Sequence, residues 1–113
     1  MSEKKIRGGS LIARALRDKG IENVFTLSGG FCNPALEGLM ECQIDVINCP
    51  HEQIAGHLAD GHTRITRKPT VCLVGPEGFA NAVPSMMEAW GERSPVIFIT
   101  GSSSLRRQGA GGF

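Results

Sequence analysis

Thr70-Val71-Cys72-Leu73-Val74-Gly75-Pro76-Glu77-Gly78 decides how this chain is read. Four apolar residues in succession, closed by Gly-Pro and a second Gly, mark a short strand covered on both faces. A strand wetted on one side would alternate instead. Outward from it, Pro95-Val96-Ile97-Phe98-Ile99-Thr100 repeats the pattern after about 25 residues. On the amino-terminal side, Ile44 to Asn48 and Asn23-Val24-Phe25-Thr26-Leu27 stand at similar intervals. Each strand is followed by a glycine- or proline-bearing exit.

The intervening segments read as helices. Ser10 is the expected N-cap of the first, with Leu11, Ile12, Ala15 and Leu16 on one face and Lys19-Gly20 as its end. Asn33-Pro34 looks like a cap with proline at the first helical position, and Leu36, Leu39 and Met40 form the expected buried stripe. His51 to Ile65 is a helix with Ile54, Ala55, Leu58, Ala59 and Ile65 inward, and Asn81 to Trp90 is another. Parallel strands need such crossovers. The fold class is therefore α/β, a three-layer parallel-sheet domain of the Rossmann or flavodoxin kind with four βα units.

Composition agrees with one domain. The chain has 113 residues, 41% of them apolar, and 15 Gly, too hydrophobic for intrinsic disorder. A net charge of +1 gives no reason to expect nucleic acid or an anionic membrane as partner. No apolar run approaches the ~20 residues of a membrane span. No apolar stretch follows Met1-Ser2-Glu3-Lys4-Lys5, so a cytoplasmic location is expected. Cys32, Cys42, Cys49 and Cys72 lack the paired spacing of a zinc or redox site and read as buried, reduced thiols.

In open α/β sheets ligands bind beyond the carboxyl ends of the strands. Here those ends carry Ser28-Gly29-Gly30-Phe31, Cys49-Pro50-His51-Glu52, Gly75-Pro76-Glu77-Gly78 and Gly101-Ser102-Ser103-Ser104. Only Glu52 places a carboxylate in the first turn of a helix, where the helix N-terminus favours negative charge. Neither G-x-G-x-x-G nor the Walker pattern occurs. His57 and His62 are five apart, not the four of a zincin pair, so His51, His57 and His62 are read as locally hydrogen-bonded; no metal ligands are assigned. Ser102 to Ser104 has no base at recognisable spacing, and Arg106-Arg107 reads as a solvated pair, with anion binding the weaker alternative. Met86, Met87 and Trp90 read as core or interface packing.

The stretch His51-Glu52-Gln53-Ile54-Ala55-Gly56-His57-Leu58-Ala59-Asp60-Gly61-His62-Thr63-Arg64 resembles the H-E-Q-x-A-x-H-x-A-D-G-x-x-R helix of thiamine diphosphate enzymes. The resemblance is to the N-terminal pyrimidine-binding domain of the acetolactate synthase and pyruvate oxidase group. Val24-Phe25 with Gly29-Gly30, Ser94-Pro95-Val96 and Gln108 to Phe113 match further motifs in order, so nearly the whole chain is covered. It implies that Glu52 is catalytic, meeting N1′ of the cofactor's aminopyrimidine and so activating it for attack on a 2-oxo acid or related carbonyl substrate. Gly29, Gly30 and Asn81 would line the cofactor, Phe31 and Phe113 the substrate pocket, and residues 101–113 would be an active-site loop.

Two departures qualify the match. Family members read T-S-G-P-G-A-T-N where this chain has Val74-Gly75-Pro76-Glu77-Gly78-Phe79-Ala80-Asn81, so alignment from Asn81 puts Glu77 at the family's proline. The Gly78-Phe79-Ala80-Asn81 segment is closer to benzaldehyde lyase, and the Gly-Gly-Phe ending resembles sulfoacetaldehyde acetyltransferase. Second, the family binds diphosphate and Mg²⁺ through a domain carrying G-D-G, which is absent from these 113 residues. The expectation is a partial domain, inactive alone, that needs a homodimer or complementary subunit to supply the diphosphate site. The competing expectation is an inactive truncated or stand-alone α/β interaction domain.

Overall fold

A computed structural model describes residues 5–111, so Phe113 lies outside the described residues. The chain forms α1 (Gly8–Asp18), β1 (Asn23–Leu27), α2 (Asn33–Glu41), β2 (Asp45–Asn48), α3 (Glu52–Thr66), β3 (Thr70–Val74), α4 (Phe79–Gly91) and β4 (Val96–Thr100). Single 3-10 turns stand at Gly30–Cys32 and Leu105–Arg107. All four strands are parallel, in the order β2-β1-β3-β4. Helices α1 and α2 pack together on one face of the sheet, α3 and α4 on the other. The chain steps from β1 outward to β2, then back past β1 to β3, which makes the β1/β3 boundary the topological switch point.

Two apolar cores result. Ala13, Val24, Cys32, Leu39, Ile44, Val71 and Leu73 fill the α1/α2 side, and Phe25, Cys49, Ala55, Ala59, Cys72, Val74 and Ala82 the α3/α4 side. Every residue of β3 is buried, as its unbroken apolar run requires. β4 has the same hydropathy and a different fate. It is one of the sheet's two edge strands, and Ile97 stays exposed, because α1 and α2 cover β1, β2 and β3 and leave this end of their face open. The hydroxyls of Thr26 and Thr70 reach carbonyls of the adjacent strands, Leu73 at 2.6 Å and Asn23 at 3.0 Å, so neither is a buried orphan.

Several helix faces differ from expectation. Arg7, without a side-chain capping bond, caps α1; Ser10 lies inside the helix, buried, and donates to Glu41 at 2.8 Å. Asn33 is the first residue of α2 rather than its cap, which is Cys32. Leu11, Ile12, Ile54, Leu58, Ile65, Met40, Met87 and Trp90 are all exposed, Ile65 by 85% and Trp90 by 82%. The inward faces are built of small residues: Gly9, Ser10 and Ala13 in α1, and in α3 the expected Ala55 and Ala59 together with Gly56 and Thr63. Small side chains let helices approach closely. A Cβ on Gly56 would stand 2.6 Å from Ser85 Cβ, so the bare backbone of α3 packs there directly on the Ser85 side chain of α4.

The outer edge of the α3/α4 pair is tied by charge. Asp60, buried at the inner side of α3, pairs with Arg64 at 2.8 Å, and Arg64 reaches Glu88 of α4 at 3.2 Å. Burial alone would raise the Asp60 carboxyl, but hydrogen bonds from Arg64 and Ser94, together with the neighbouring positive charge, outweigh it and hold the group below the usual carboxylate range. A depressed folded-state value stabilises the fold above the unfolded pKa of about 3.9. That stabilisation disappears as pH falls through the lower, folded value. Asp60→Asn is therefore expected to cost about 1 kcal/mol at pH 7, discounted because Arg64 is partly solvated. Urea denaturation at pH 7 and pH 3 checks this: the gap between native and variant should shrink at pH 3, and a pH-independent gap would contradict it.

Candidate active site

The four strand exits converge on the carboxyl edge of the sheet. Helix α3 begins there because His51, in extended conformation, caps it: its Nδ1 accepts from the Gln53 amide at 3.1 Å. Glu52 then occupies the first turn, half-buried, beside the helix N-terminus. Asn81 of α4 donates its side-chain amide to Glu52 Oε2 at 3.1 Å. Gly78, the N-cap of α4, lies directly under the carboxylate. A Cβ there would fall inside the van der Waals envelope of Oε1 and stand 2.7 Å from both Cδ and Cγ of Glu52. The exit of β3 and the start of α3 thus hold one acidic side chain between them.

Phe31 and Gly101 meet on the same edge. A Cβ on Gly101 would lie 2.9 Å from Phe31 Cβ, which seats the exit of β4 on the 3-10 turn after β1. Phe31 itself is 43% exposed. Gly29 and Gly30 face open space, with no atom within 4 Å of where a side chain would begin. Nothing among the described residues demands glycine at these two positions, and the room they leave suits a flat ligand laid against the backbone.

Thiols surround this edge without adding reactivity. Cys32 donates to the Val74 carbonyl at 3.2 Å, and burial pushes its thiol up. Burial also pushes Cys49 up, and Cys72 is driven to about 12, first by burial and then by the charges of Cys49 and Glu52. All four cysteines are buried and free. The histidines stand in different settings: His51 caps α3, His57 is exposed, and His62 packs edge-on to Phe25 with Nε2 3.1 Å from Asn23 Nδ2. Among the described residues no group of three or more His, Cys, Asp or Glu could hold a metal ion.

Of the residues singled out from sequence, Glu52 and Asn81 are in direct contact, while Gly29, Gly30 and Phe31 share the edge with them. Gly78 was legible only as a turn glycine; its closeness to Glu52 is a tertiary fact, because 26 positions separate the two.

The profile of the family described as "Thiamine pyrophosphate enzyme, N-terminal TPP binding domain" matches residues 6–113. This chain belongs to that family. Within it, the chain is 37% identical over 107 residues to an acetolactate synthase large subunit of Mycobacterium tuberculosis, covering 94% of this chain and 20% of that protein. It is 31% identical to a probable 2-ketoarginine decarboxylase of Pseudomonas aeruginosa, covering 96% of this chain and 20% of the other. The 2-hydroxyacyl-CoA lyase 2 of Danio rerio is 34% identical across 92% of this chain and 17% of its own length. Among solved structures, a putative thiamin diphosphate-dependent enzyme from Mycobacterium smegmatis superposes with a TM-score of 0.77 at 22% identity. That match covers 98% of this chain and 21% of the other, and it supports the fold.

The chain spans about a fifth of the length of the relatives it matches. Membership implies thiamine diphosphate, which is thiamine pyrophosphate, as the cofactor of the family. The residues on the carboxyl edge fit its pyrimidine ring in kind: one half-buried carboxylate at a helix start, beside backbone left bare by Gly29 and Gly30. No helix among the described residues is long and apolar enough to cross a membrane.

Proposed function

We propose that this chain is the pyrimidine-binding part of a thiamine diphosphate-dependent, acetolactate synthase-like carboligase or decarboxylase acting on 2-oxo acids or related carbonyl substrates. The observation that carries this is the Glu52 carboxylate, held half-buried in the first turn of α3 at the strand exits with Asn81 on one oxygen. When bound, the cofactor supplies a carbon nucleophile for addition to a carbonyl group. Glu52 shares a proton at N1′ of the aminopyrimidine, a task that needs an acceptor fixed within hydrogen-bond reach. Gly29 and Gly30 line the ring, Asn81 serves it through the Glu52 carboxylate it donates to, and Phe31 borders the substrate.

The diphosphate and its Mg²⁺ belong to a complementary domain or subunit, a second copy in a homodimer or a separate chain. The apolar side chains of Ile54 and Leu58 on α3 and of Val83, Met87 and Trp90 on α4, left exposed along these two helices, support such a partner. Four buried free thiols suit the reducing cytoplasm. The relatives act on 2-ketoarginine or on 2-hydroxyacyl-CoA, or make acetolactate, by their names, so the substrate is a carbonyl compound or its adduct rather than one fixed acid.

Titration calorimetry tests the reading. The protein assembled with its diphosphate-binding part should bind thiamine diphosphate only when Mg²⁺ is present. Absence of binding in that assembly would favour the alternative, an α/β interaction domain without chemistry.

A further inference from the structure

We infer that Gly78 and Asn81, both from the start of α4, form the device that sets the position of the Glu52 carboxylate. This goes beyond the reading of Glu52 given above and rests on it. Asn81 spends its amide on Oε2, so it acts through Glu52 and is a positioning residue. Gly78 acts by what it lacks. Its Cα fills the space beneath the carboxylate, and any Cβ would enter the volume of Oε1 and crowd Cδ and Cγ at 2.7 Å.

Backbone conformation gives Gly78 no other reason to be glycine. Its φ of −77° and ψ of −13° lie in the ordinary helical region, open to alanine without strain. The neighbouring loop offers a contrast: Gly75 would place a Cβ no nearer than 3.6 Å to any atom, the closest being a Glu77 carboxylate oxygen. The nearest obstacles to a side chain at 78 all belong to one group, Glu52. With the bare Cα beneath it and a donor on Oε2, the carboxylate has one seat, and a fixed acceptor transfers a proton far better than one sampling several rotamers.

The test uses Gly78→Ala, Asn81→Asp and Glu52→Gln in the protein assembled with its diphosphate-binding part. Three quantities are measured: affinity for thiamine diphosphate with Mg²⁺, the rate of deuterium exchange at C2 of the bound cofactor, and the Glu52 rotamer in crystals of the cofactor-free variants. Gly78→Ala is expected to lower exchange roughly 100-fold, the cost of a misplacement of about 1 Å. Affinity should change by less than about five-fold, and Glu52 should be swung from its seat in the cofactor-free crystal. Asn81→Asp keeps size and replaces the donor by a like charge, so it should lower exchange similarly; it also decides the matter if Gly78→Ala does not fold.

Loss of exchange in Glu52→Gln with near-native exchange in both α4 variants would overturn this inference and leave the role of Glu52 standing. Loss of affinity as large as the loss of exchange would overturn it too, by marking direct contact with the cofactor. Near-native exchange in Glu52→Gln would instead remove the underlying reading of Glu52.

Discussion

Glu52→Gln is expected to reduce deuterium exchange at C2 of the bound cofactor by roughly 10²–10⁴-fold, the usual worth of a positioned proton-sharing group. Glutamine keeps the length and the shape of the side chain, so Gly78 still lies beneath it. It cannot take up or return a proton. Its amide NH₂ also competes with the Asn81 donor for the same space, since two NH₂ groups do not pair unless one amide turns over. Affinity for thiamine diphosphate should fall far less than exchange, because glutamine fills the same volume and the contacts to the diphosphate are untouched. Exchange measured by NMR after acid quench, beside affinity by calorimetry, separates the two. Exchange within two-fold of native would remove Glu52 from the chemistry.

Gly9→Ala should destabilise the fold by about 2–3 kcal/mol, lowering Tm by roughly 10 °C. Helices α1 and α2 meet at two glycines. A Cβ on Gly9 would overlap the carbonyl of Pro34 and lie 2.9 Å from the Ala35 nitrogen. From the other side, a Cβ on Gly38 would stand 2.6 Å from the Gly9 carbonyl carbon. These obstacles are backbone atoms, which no rotamer change can move, so the helices must part. Parting strains the Ser10–Glu41 hydrogen bond and the Arg7 pairs with Glu37 and Glu41.

The gain in helix propensity from glycine to alanine, at most about 1 kcal/mol, does not compensate. Gly8 supplies the control. It stands one residue earlier in the same helix with nothing within 4 Å, so Gly8→Ala should be neutral or slightly stabilising. Thermal denaturation of the two variants decides the matter, and equal Tm values would show that the close crossing is not needed.

Much of the candidate site was legible because its signals are local. His51-Glu52 sits between a proline exit and a helix, where a carboxylate by position alone reads as an ordinary partner of the helix dipole; the resemblance of His51 to Arg64 to a known motif singled out Glu52. Asn81 could be aligned to a motif, but its bond to Glu52 spans 29 positions and has no local signature. The role of Gly78 was hidden for the same reason. Glycine in a turn ordinarily signals a backbone need, and here the backbone is unremarkable while the empty space is occupied by another element.

The sequence alone determined the strands and their order along the chain, since short apolar runs closed by Gly and Pro can form little else. It also determined that the crossovers are helical and that the strand exits share one edge. Tertiary structure decided which helix faces turn inward. Of the expected stripe, Ala55 and Ala59 do turn inward, joined by Gly56 and Thr63, while Ile54, Leu58 and Ile65 are left exposed. Periodicity reports that a face is apolar and not what covers it. Where helices cross as closely as α3 with α4 or α1 with α2, small residues take the contact and the larger apolar side chains are left outside.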